Sequence, residues 1–456
     1  MFAAAIRSAS PLARLARPAA GLVRTPTLAA ASSLQRMLQR QVSGTSAAQA
    51  VSAVTPPTPE GRVLFPGATG SHYTEKMSFN RDPKAMSTYR VLDLEGNVID
   101  PAQEPDLPKE VLLKMYKSML TLNAMDLILY EAQRQGRISF YMTSYGEEAT
   151  HMGSAAALKN DDVVYGQYRE AGVLMYRGFT IEQFMNQCYS NAMDFGKGRQ
   201  MPVHYGSREL NFQTISSPLG TQLPQAAGSA YALKLSGKDA CVICYFGEGA
   251  ASEGDFHAAL NIASTTESPC LFFCRNNGYA ISTPVKDQYR GDGIASRGQG
   301  YGMDTIRVDG NDALAVYNAV KEARRRAISE SRPVLIEALT YRVGHHSTSD
   351  DSSAYRPKTE VSDWIKQDSP IARFRKYLEK KGHWTADEEA AFKKSVRSQI
   401  LKEFAAAEKI PKPSLDHMFT DVLAGEQPWN LKEQEAEMRA LVKEFPQHYD
   451  TKDYQK

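Results

Sequence analysis

Two short apolar runs, Ala240 to Phe246 and Cys270 to Cys274, flank a stretch from Ser252 to Thr265 in which Phe256, Ala259, Leu260 and Ala263 recur with a helical period. Each run predicts a strand. Ser252 and Asp255 stand at capping-box spacing and predict where the helix opens. Strand, helix and strand in about 35 residues make a βαβ unit, which presents ligands beyond the carboxyl ends of its strands. Upstream, Met115, Met119, Leu122, Met125 and Leu129 mark a long helix, from Leu107 with Pro108 in its first turn to about Gln135, closed by Gly136. Further strands are predicted at Asp161–Tyr165, Thr305–Val308 and Val334–Tyr341. A helix is predicted from Ala313 to Ser329, just after Asp309-Gly-Asn311. The pattern is that of an α/β fold with a mostly parallel sheet flanked by helices. An extended arm rich in Pro, Thr and Gly precedes it, and a charged, helical region follows from Pro370.

Chemistry sits where the strands end. Gly247-Glu248-Gly249 follows the first run and Asn276-Asn277 the second, with 26 residues between. Glu248 and the side-chain oxygen of Asn277 are hard donors suited to Mg²⁺ that also grips a diphosphate. The glycines would admit backbone amides to phosphate oxygens, with the positive end of the following helix aimed at them. A dinucleotide loop is the rival reading, but the third glycine, Gly254, falls two positions late for it. Gly166-Gln-Tyr-Arg-Glu170 also follows a strand. There Arg169 offers a planar fork for phosphate and Tyr168 a hydroxyl and a flat wall. Arg275 directly precedes the Asn pair and must emerge beside the same ligand. Ser216-Ser-Pro-Leu-Gly-Thr-Gln222 is a turn crowded with hydroxyls and carbonyls, able to hold a monovalent cation or simply to cap the helix from Leu223. His345-His346 precedes a hydroxyl-rich acidic loop that is either solvated surface or an acid–base group beside a regulatory site. Only one of two adjacent histidines can face a ligand.

Composition changes the picture at the N-terminus. The first 59 residues hold six arginines, no lysine and no acid, and Glu60 is the first carboxylate. An Arg-rich, acid-free, Ala/Ser-rich leader predicts a mitochondrial transit peptide over residues 1–42, with cleavage near Val42-Ser43 and a matrix location. Without those six arginines, 48 of the 54 basic residues face 52 acids, and the net +2 becomes −4. A nucleic-acid footprint is therefore not expected. No run approaches the ~20 apolar residues of a membrane span. Cys241 and Cys244 resemble a redox or zinc pair, but residues three apart on a strand face opposite ways and predict buried core thiols.

Taken together, these motifs resemble the α subunits of the thiamine diphosphate-dependent decarboxylase components of mitochondrial 2-oxo acid dehydrogenase complexes, most closely the branched-chain ones. The resemblance spans roughly residues 60–450. It rests on Gly136-Arg-Ile-Ser-Phe-Tyr-Met142, Gly166-Gln-Tyr-Arg-Glu170, Ser216-Ser-Pro-Leu219, Gly247-Glu-Gly-Ala250, Arg275-Asn-Asn-Gly-Tyr279 and His345-His-Ser-Thr-Ser-Asp-Asp351. Most of the wider thiamine diphosphate family carries Asp where this chain has Glu248. The His-His form of the last loop favours branched-chain over pyruvate- or acetoin-type enzymes, which remain the alternative, as does a non-catalytic regulatory subunit.

The resemblance implies a thiamine diphosphate-binding domain over 107–369, an arm over 43–106 and a helical region over 370–456. It implies Mg²⁺ held by Glu248, Asn277 and the carbonyl of Tyr279. Thiamine diphosphate would be contacted by Tyr168, Arg169, Ser217, Gly249, Ala250, Arg275 and His346, and K⁺ held by Ser216, Pro218, Thr221 and Gln222. His346 would be the catalytic acid–base group, with a substrate pocket of Phe140, Tyr168, Leu219 and Tyr279. Ser347 matches an inhibitory phosphorylation site, while a second such site falls on Pro357 and is absent. The implied activity is oxidative decarboxylation of branched 2-oxo acids with acyl transfer to lipoamide. The implied partners are a β subunit in an α2β2 heterotetramer, a lipoyl-bearing acyltransferase, and a regulatory kinase and phosphatase.

Overall fold

The computed structural model describes residues 75–79, 84–216, 218–420 and 423–456. The predicted transit peptide and its cleavage site, most of the arm, and Ser217 lie outside the described residues. Residues 84–456 form one compact unit.

The strands of this unit are β1 (Thr88–Tyr89), β2 (Val163–Tyr165), β3 (Phe212–Gln213), β4 (Val242–Gly247), β5 (Cys270–Asn276), β6 (Tyr279–Ala280), β7 (Thr283–Pro284), β8 (Asp304–Asp309) and β9 (Val334–Leu339). Its longer helices are α1 (Lys109–Arg134), α2 (Glu148–Ala157), α3 (Ala171–Arg177), α4 (Ile181–Tyr189), α5 (Gln222–Ser236), α6 (Gly254–Thr265), α7 (Ala313–Ser329), α8 (Lys358–Gln367), α9 (Pro370–Lys380), α10 (Ala386–Ala407) and α11 (Trp429–Glu444). Seven strands make one sheet in the order β1-β8-β9-β5-β4-β2-β3, and every pairing in it is parallel. β6 and β7 form a separate antiparallel pair.

A parallel sheet needs helices on both faces, so its central strands β4 and β5 are apolar on both sides up to their carboxyl ends. Cys241, Ile243, Tyr245, Leu271 and Phe273 join one core with residues of α1, α2 and α7. Val242, Cys244, Phe246, Cys270, Phe272 and Cys274 join the other, against Leu223, Ala226 and Ala230 of α5 and Phe256, Ala259 and Leu260 of α6. Cys241 and Cys244 thus lie in different cores, as strand alternation requires. All five cysteines are buried and free.

Helix ends show where pattern and structure differ. The helix predicted from Leu107 opens at Lys109, with Pro108 as its N-cap, and Gly136 closes it at a positive φ of 74°. The capping box at Ser252 and Asp255 does not form. α6 starts two residues later behind Glu253, and the Ser252 hydroxyl instead accepts from Gln288 Nε2 at 2.9 Å. The tight 3₁₀ turn Ala250–Ser252, directly after β4, displaces the start. α7 spans the predicted Ala313–Ser329, and its cap is Asp312, which accepts from Leu314 and Ala315 amides with one oxygen and from Val91 and Leu92 amides with the other. That second pair, with β1 on the sheet edge, joins the C-terminal part of the arm to the α/β body.

Candidate active site

Four adjacent strands, β2, β4, β5 and β9, point their carboxyl ends the same way, with Gly247 beside Arg275 and Asn276 beside Leu339. The segments leaving them converge on a cavity of about 350 Å³. Tyr168 and Arg169 come from beyond β2, Glu248 to Ala250 from beyond β4, Arg275 to Ile281 from β5 onward, and Arg342 and His346 from beyond β9.

Glu248 is 1 % exposed. One carboxylate oxygen, Oε2, accepts the Asn277 backbone N–H at 3.3 Å, while Oε1 is buried with no hydrogen-bond partner. Burial first, then the nearby Glu147 charge, pushes its pKa up to about 7. A buried acceptor without a donor is costly. A hard cation beside Oε1 and the Asn277 oxygen would satisfy it. Among the described residues no cluster of three or more His, Cys, Asp or Glu exists, so such an ion would draw its remaining ligands from amide or backbone oxygens, diphosphate and water. The Tyr279 carbonyl now accepts from Arg342 Nη1 at 3.4 Å. Gly249 is required by packing, since a Cβ there would lie 2.6 Å from that of Ala280. The Gly247 amide is not available for phosphate, because it donates to Gln167 Oε1 at 3.0 Å.

Below the cavity lies a buried ion network that sequence reasoning missed. Glu147, fully buried, accepts from Arg275 Nη1 at 2.5 Å and from Asn277 Nδ2 at 2.8 Å, and lies 3.6 Å from Arg169 Nε. Glu170, also fully buried, accepts from Arg275 Nε at 2.9 Å and from the amides of Gln167 and Tyr168 at 2.8 Å. Burial alone would raise the pKa of Glu147, but Arg275 and Arg169 hold it below the ordinary value. Arg275 therefore lines the cavity with its guanidinium already bracketed by two carboxylates. Glu147 sits in an acidic pair opening α2, which reads as ordinary helix-dipole complementarity, so no periodic signal marked it. Glu170 stood inside a motif whose other members drew the attention.

The two histidines diverge. His346 meets the edge of Tyr168, with ring centroids 5.8 Å apart, and its carbonyl and Nδ1 face Arg169 Nη2 at 2.9 and 3.4 Å. His345 turns away, stacking on Tyr130 and accepting the Ser352 amide on Nδ1. Burial, reinforced by Arg169 and Arg342, lowers the His346 pKa to about 3 and keeps the ring neutral. The start of the loop that follows is not solvated surface, although Ser349 and Asp351 are exposed. Ser347 is only 7 % exposed, and its hydroxyl oxygen accepts the Ser349 amide at 3.2 Å. Thr348 clasps Tyr141 through three hydrogen bonds. Arg342 and Arg356 are engaged by backbone carbonyls, of Ile281 and Gly344 among others.

Tyr168, Arg169, Leu219, Glu248, Gly249, Ala250, Arg275, Asn277, Tyr279 and His346 thus meet around one cavity. Phe140 is not on its lining; it packs against the core on the α1 side. Ser216, Pro218, Thr221 and Gln222 form a neighbouring turn. There the Thr221 hydroxyl donates to the Pro218 carbonyl at 3.0 Å and makes no helix cap, and Gln222 Nε2 donates to the Tyr245 carbonyl at 3.1 Å.

Residues 116–416 match the model of the dehydrogenase E1 component family. The chain belongs to that family. As an E1 component it is a thiamine diphosphate enzyme. It is 59 % identical over 395 residues to mitochondrial 2-oxoisovalerate dehydrogenase subunit alpha of Macaca fascicularis, covering 86 % of this chain and 88 % of the relative. The protein of the same name from Caenorhabditis elegans is 58 % identical over 380 residues, covering 83 % and 88 %. The subunit alpha 1 of Arabidopsis thaliana is 53 % identical over 387 residues, covering 84 % and 82 %.

Proposed function

We propose that this E1 chain is the α subunit of a mitochondrial branched-chain 2-oxo acid dehydrogenase complex, where it takes part in oxidative decarboxylation of branched 2-oxo acids and acyl transfer to lipoamide. The observation that carries the reading at the site is the unpartnered Glu248 Oε1 beside Asn277, at the ends of paired strands β4 and β5. The chemistry of decarboxylation is the cofactor's own: when bound, it supplies a nucleophile for the keto carbon and a sink for the electrons left by CO₂.

The chain's residues hold and shield it. Glu248 and Asn277 grip Mg²⁺ through oxygen, with the Tyr279 carbonyl freed by a small shift of Arg342. Arg169, Gly249 and Ala250 face the diphosphate, with Arg275 behind them. Tyr168 and Leu219 form an apolar wall suited to an isopropyl or isobutyl end. His346, neutral in the cavity, gains basicity when an anion offsets Arg169 and Arg342, which lets it accept and return a proton. The carbonyl and hydroxyl of Pro218 and Thr221 converge closely enough to start a K⁺ site with Ser216 and Gln222.

The catalytic unit is an α2β2 heterotetramer that meets a lipoyl-bearing acyltransferase. Residues 1–42 are an import sequence removed in the matrix, 43–106 an arm, 107–369 the cofactor domain and 370–456 a helical region. A kinase and phosphatase act on Ser347. Co-expression with a β partner tests the reading: the assembly should decarboxylate branched 2-oxo acids faster than pyruvate, and the lone chain should not turn over. Robust turnover by the lone chain, or a preference for pyruvate, would overturn it.

A further inference from the structure

We infer that Glu147 is a positioning residue which decides which atom of the Asn277 side chain faces the metal; the inference rests on the metal reading proposed above. A primary amide has an oxygen and a nitrogen at nearly the same two places, and only the oxygen ligates a hard cation. Two neighbours bear on the choice: the Tyr279 backbone N–H donates to the oxygen over a long 3.3 Å, and Glu147 takes the nitrogen over a shorter 2.8 Å, so Glu147 holds the stronger grip. Its oxygens face the guanidiniums of Arg275 and Arg169 and act as acceptors, so the atom 2.8 Å from its Oε1 is Nδ2, and the planar amide turns Oδ1 the other way.

Glu147 can impose this choice because it is itself fixed. It is fully buried, and its second oxygen holds Arg275 Nη1. On the far side of Asn277, the backbone N–H occupies Glu248 Oε2 and leaves Oε1 without a partner. The network therefore runs from Arg275 through Glu147 to Asn277, and both ends of that asparagine are tied to carboxylates at the site. Partners behind a metal ligand orient it, and their loss typically lowers metal affinity about 10–100-fold.

The rival account makes Glu147 only a counter-ion for Arg275. The two accounts differ for Glu147→Gln. Glutamine has one acceptor oxygen, and Arg275, which has only donors, retains it. The glutamine NH₂ then faces Asn277, whose oxygen turns toward it and whose nitrogen is presented to the cation. Glu147→Leu removes the orienting bond without reversing it, so the cation can still turn the amide. Metal affinity should therefore fall further in Glu147→Gln than in Glu147→Leu, although a counter-ion role alone makes leucine at least as damaging. Adding Asn277→Asp to Glu147→Gln should restore binding. A carboxylate accepts from the glutamine NH₂ with one oxygen and offers the other to the cation.

The test uses the chain co-purified with its β partner and Mn²⁺ titrated in the presence of thiamine diphosphate. Free Mn²⁺ is followed by electron paramagnetic resonance, and circular dichroism and subunit assembly are followed in parallel. We expect a loss of about 10–100-fold for Glu147→Gln with an unchanged fold, and recovery to within a few-fold in the double variant. Wild-type affinity in Glu147→Gln, or a loss that Asn277→Asp does not reverse, would overturn the positioning role alone. A wild-type assembly that binds no Mn²⁺ sinks the metal reading and the inference with it.

Discussion

Thr348→Val should loosen the loop that carries His346 and Ser347 while leaving the fold intact. Valine keeps the shape of threonine, so packing is conserved and the hydroxyl alone is lost. In the native structure that hydroxyl receives the Tyr141 N–H at 3.1 Å and donates to the Tyr141 carbonyl at 3.2 Å. The carbonyl keeps a second donor, the Thr348 amide at 3.0 Å, so its loss is modest. The Tyr141 N–H, in a fully buried residue, is left without a partner. One lost bond and one orphaned donor together cost about 2–3 kcal/mol, which raises the open population of the loop roughly 30- to 150-fold. Hydrogen exchange followed by mass spectrometry over residues 345–352 reads this directly. Faster exchange confined to that window is the expected result. Unchanged protection there would show that the clasp does not hold the loop, and a uniform rise across the sheet would show global destabilisation instead.

His151 is fully buried with neither ring nitrogen hydrogen-bonded, and burial lowers its pKa to about 3. The folded state therefore binds fewer protons than the unfolded one, whose His titrates near 6.5, and this contribution is present above pH 6.5 and lost as pH falls toward 3. Between pH 6.5 and 5.0 the wild type should lose about 1.6 kcal/mol more than His151→Leu, measured by urea unfolding at several pH values; parallel profiles would contradict a neutral His151. Glu248→Ala and Asn277→Ala should abolish Mg²⁺-dependent thiamine diphosphate binding, with Glu248→Asp milder; calorimetry returning wild-type affinity in both alanine variants would remove the metal assignment. Ser347→Glu should inhibit the reconstituted complex, because a charge at a 7 % exposed position beside Asp350 cannot be accommodated without opening the loop, whereas Ser347→Ala should still decarboxylate. Full activity of the glutamate variant would return this loop to a purely architectural role.

The βαβ centre was legible because each level agreed. Apolar runs marked β4 and β5, the intervening period marked α6, and the glycine and amide motifs fell at and just past the strand ends. What stayed hidden was polar and long-range. The Glu147–Arg275–Glu170 cluster joins residues more than 100 positions apart, and nothing in a local window tells a buried carboxylate from a solvated one. Ser252 shows the converse. Its spacing to Asp255 fits a capping box that does not form, because a 3₁₀ turn changes the local geometry and its hydroxyl accepts from Gln288 instead. The loop after His346 reads as hydrophilic, yet the Ser347 and Thr348 hydroxyls are buried and bind backbone, so at those two positions composition suggested exposure where hydrogen bonding produced burial.

The distribution of sulfur has a practical consequence. Four thiols lie in or beside the two central strands, a fifth in α4, and burial raises the pKa of every one, Cys188 and its hydroxyl neighbour Tyr205 included. Neither thiolate nor access is available while the sheet is closed. Alkylating reagents should therefore ignore the native chain and label it only through openings that expose the sheet's interior. At low reagent reactivity the rate of modification then reads the equilibrium population of those open states, turning the cysteines into a built-in gauge of global stability that requires no engineered probe.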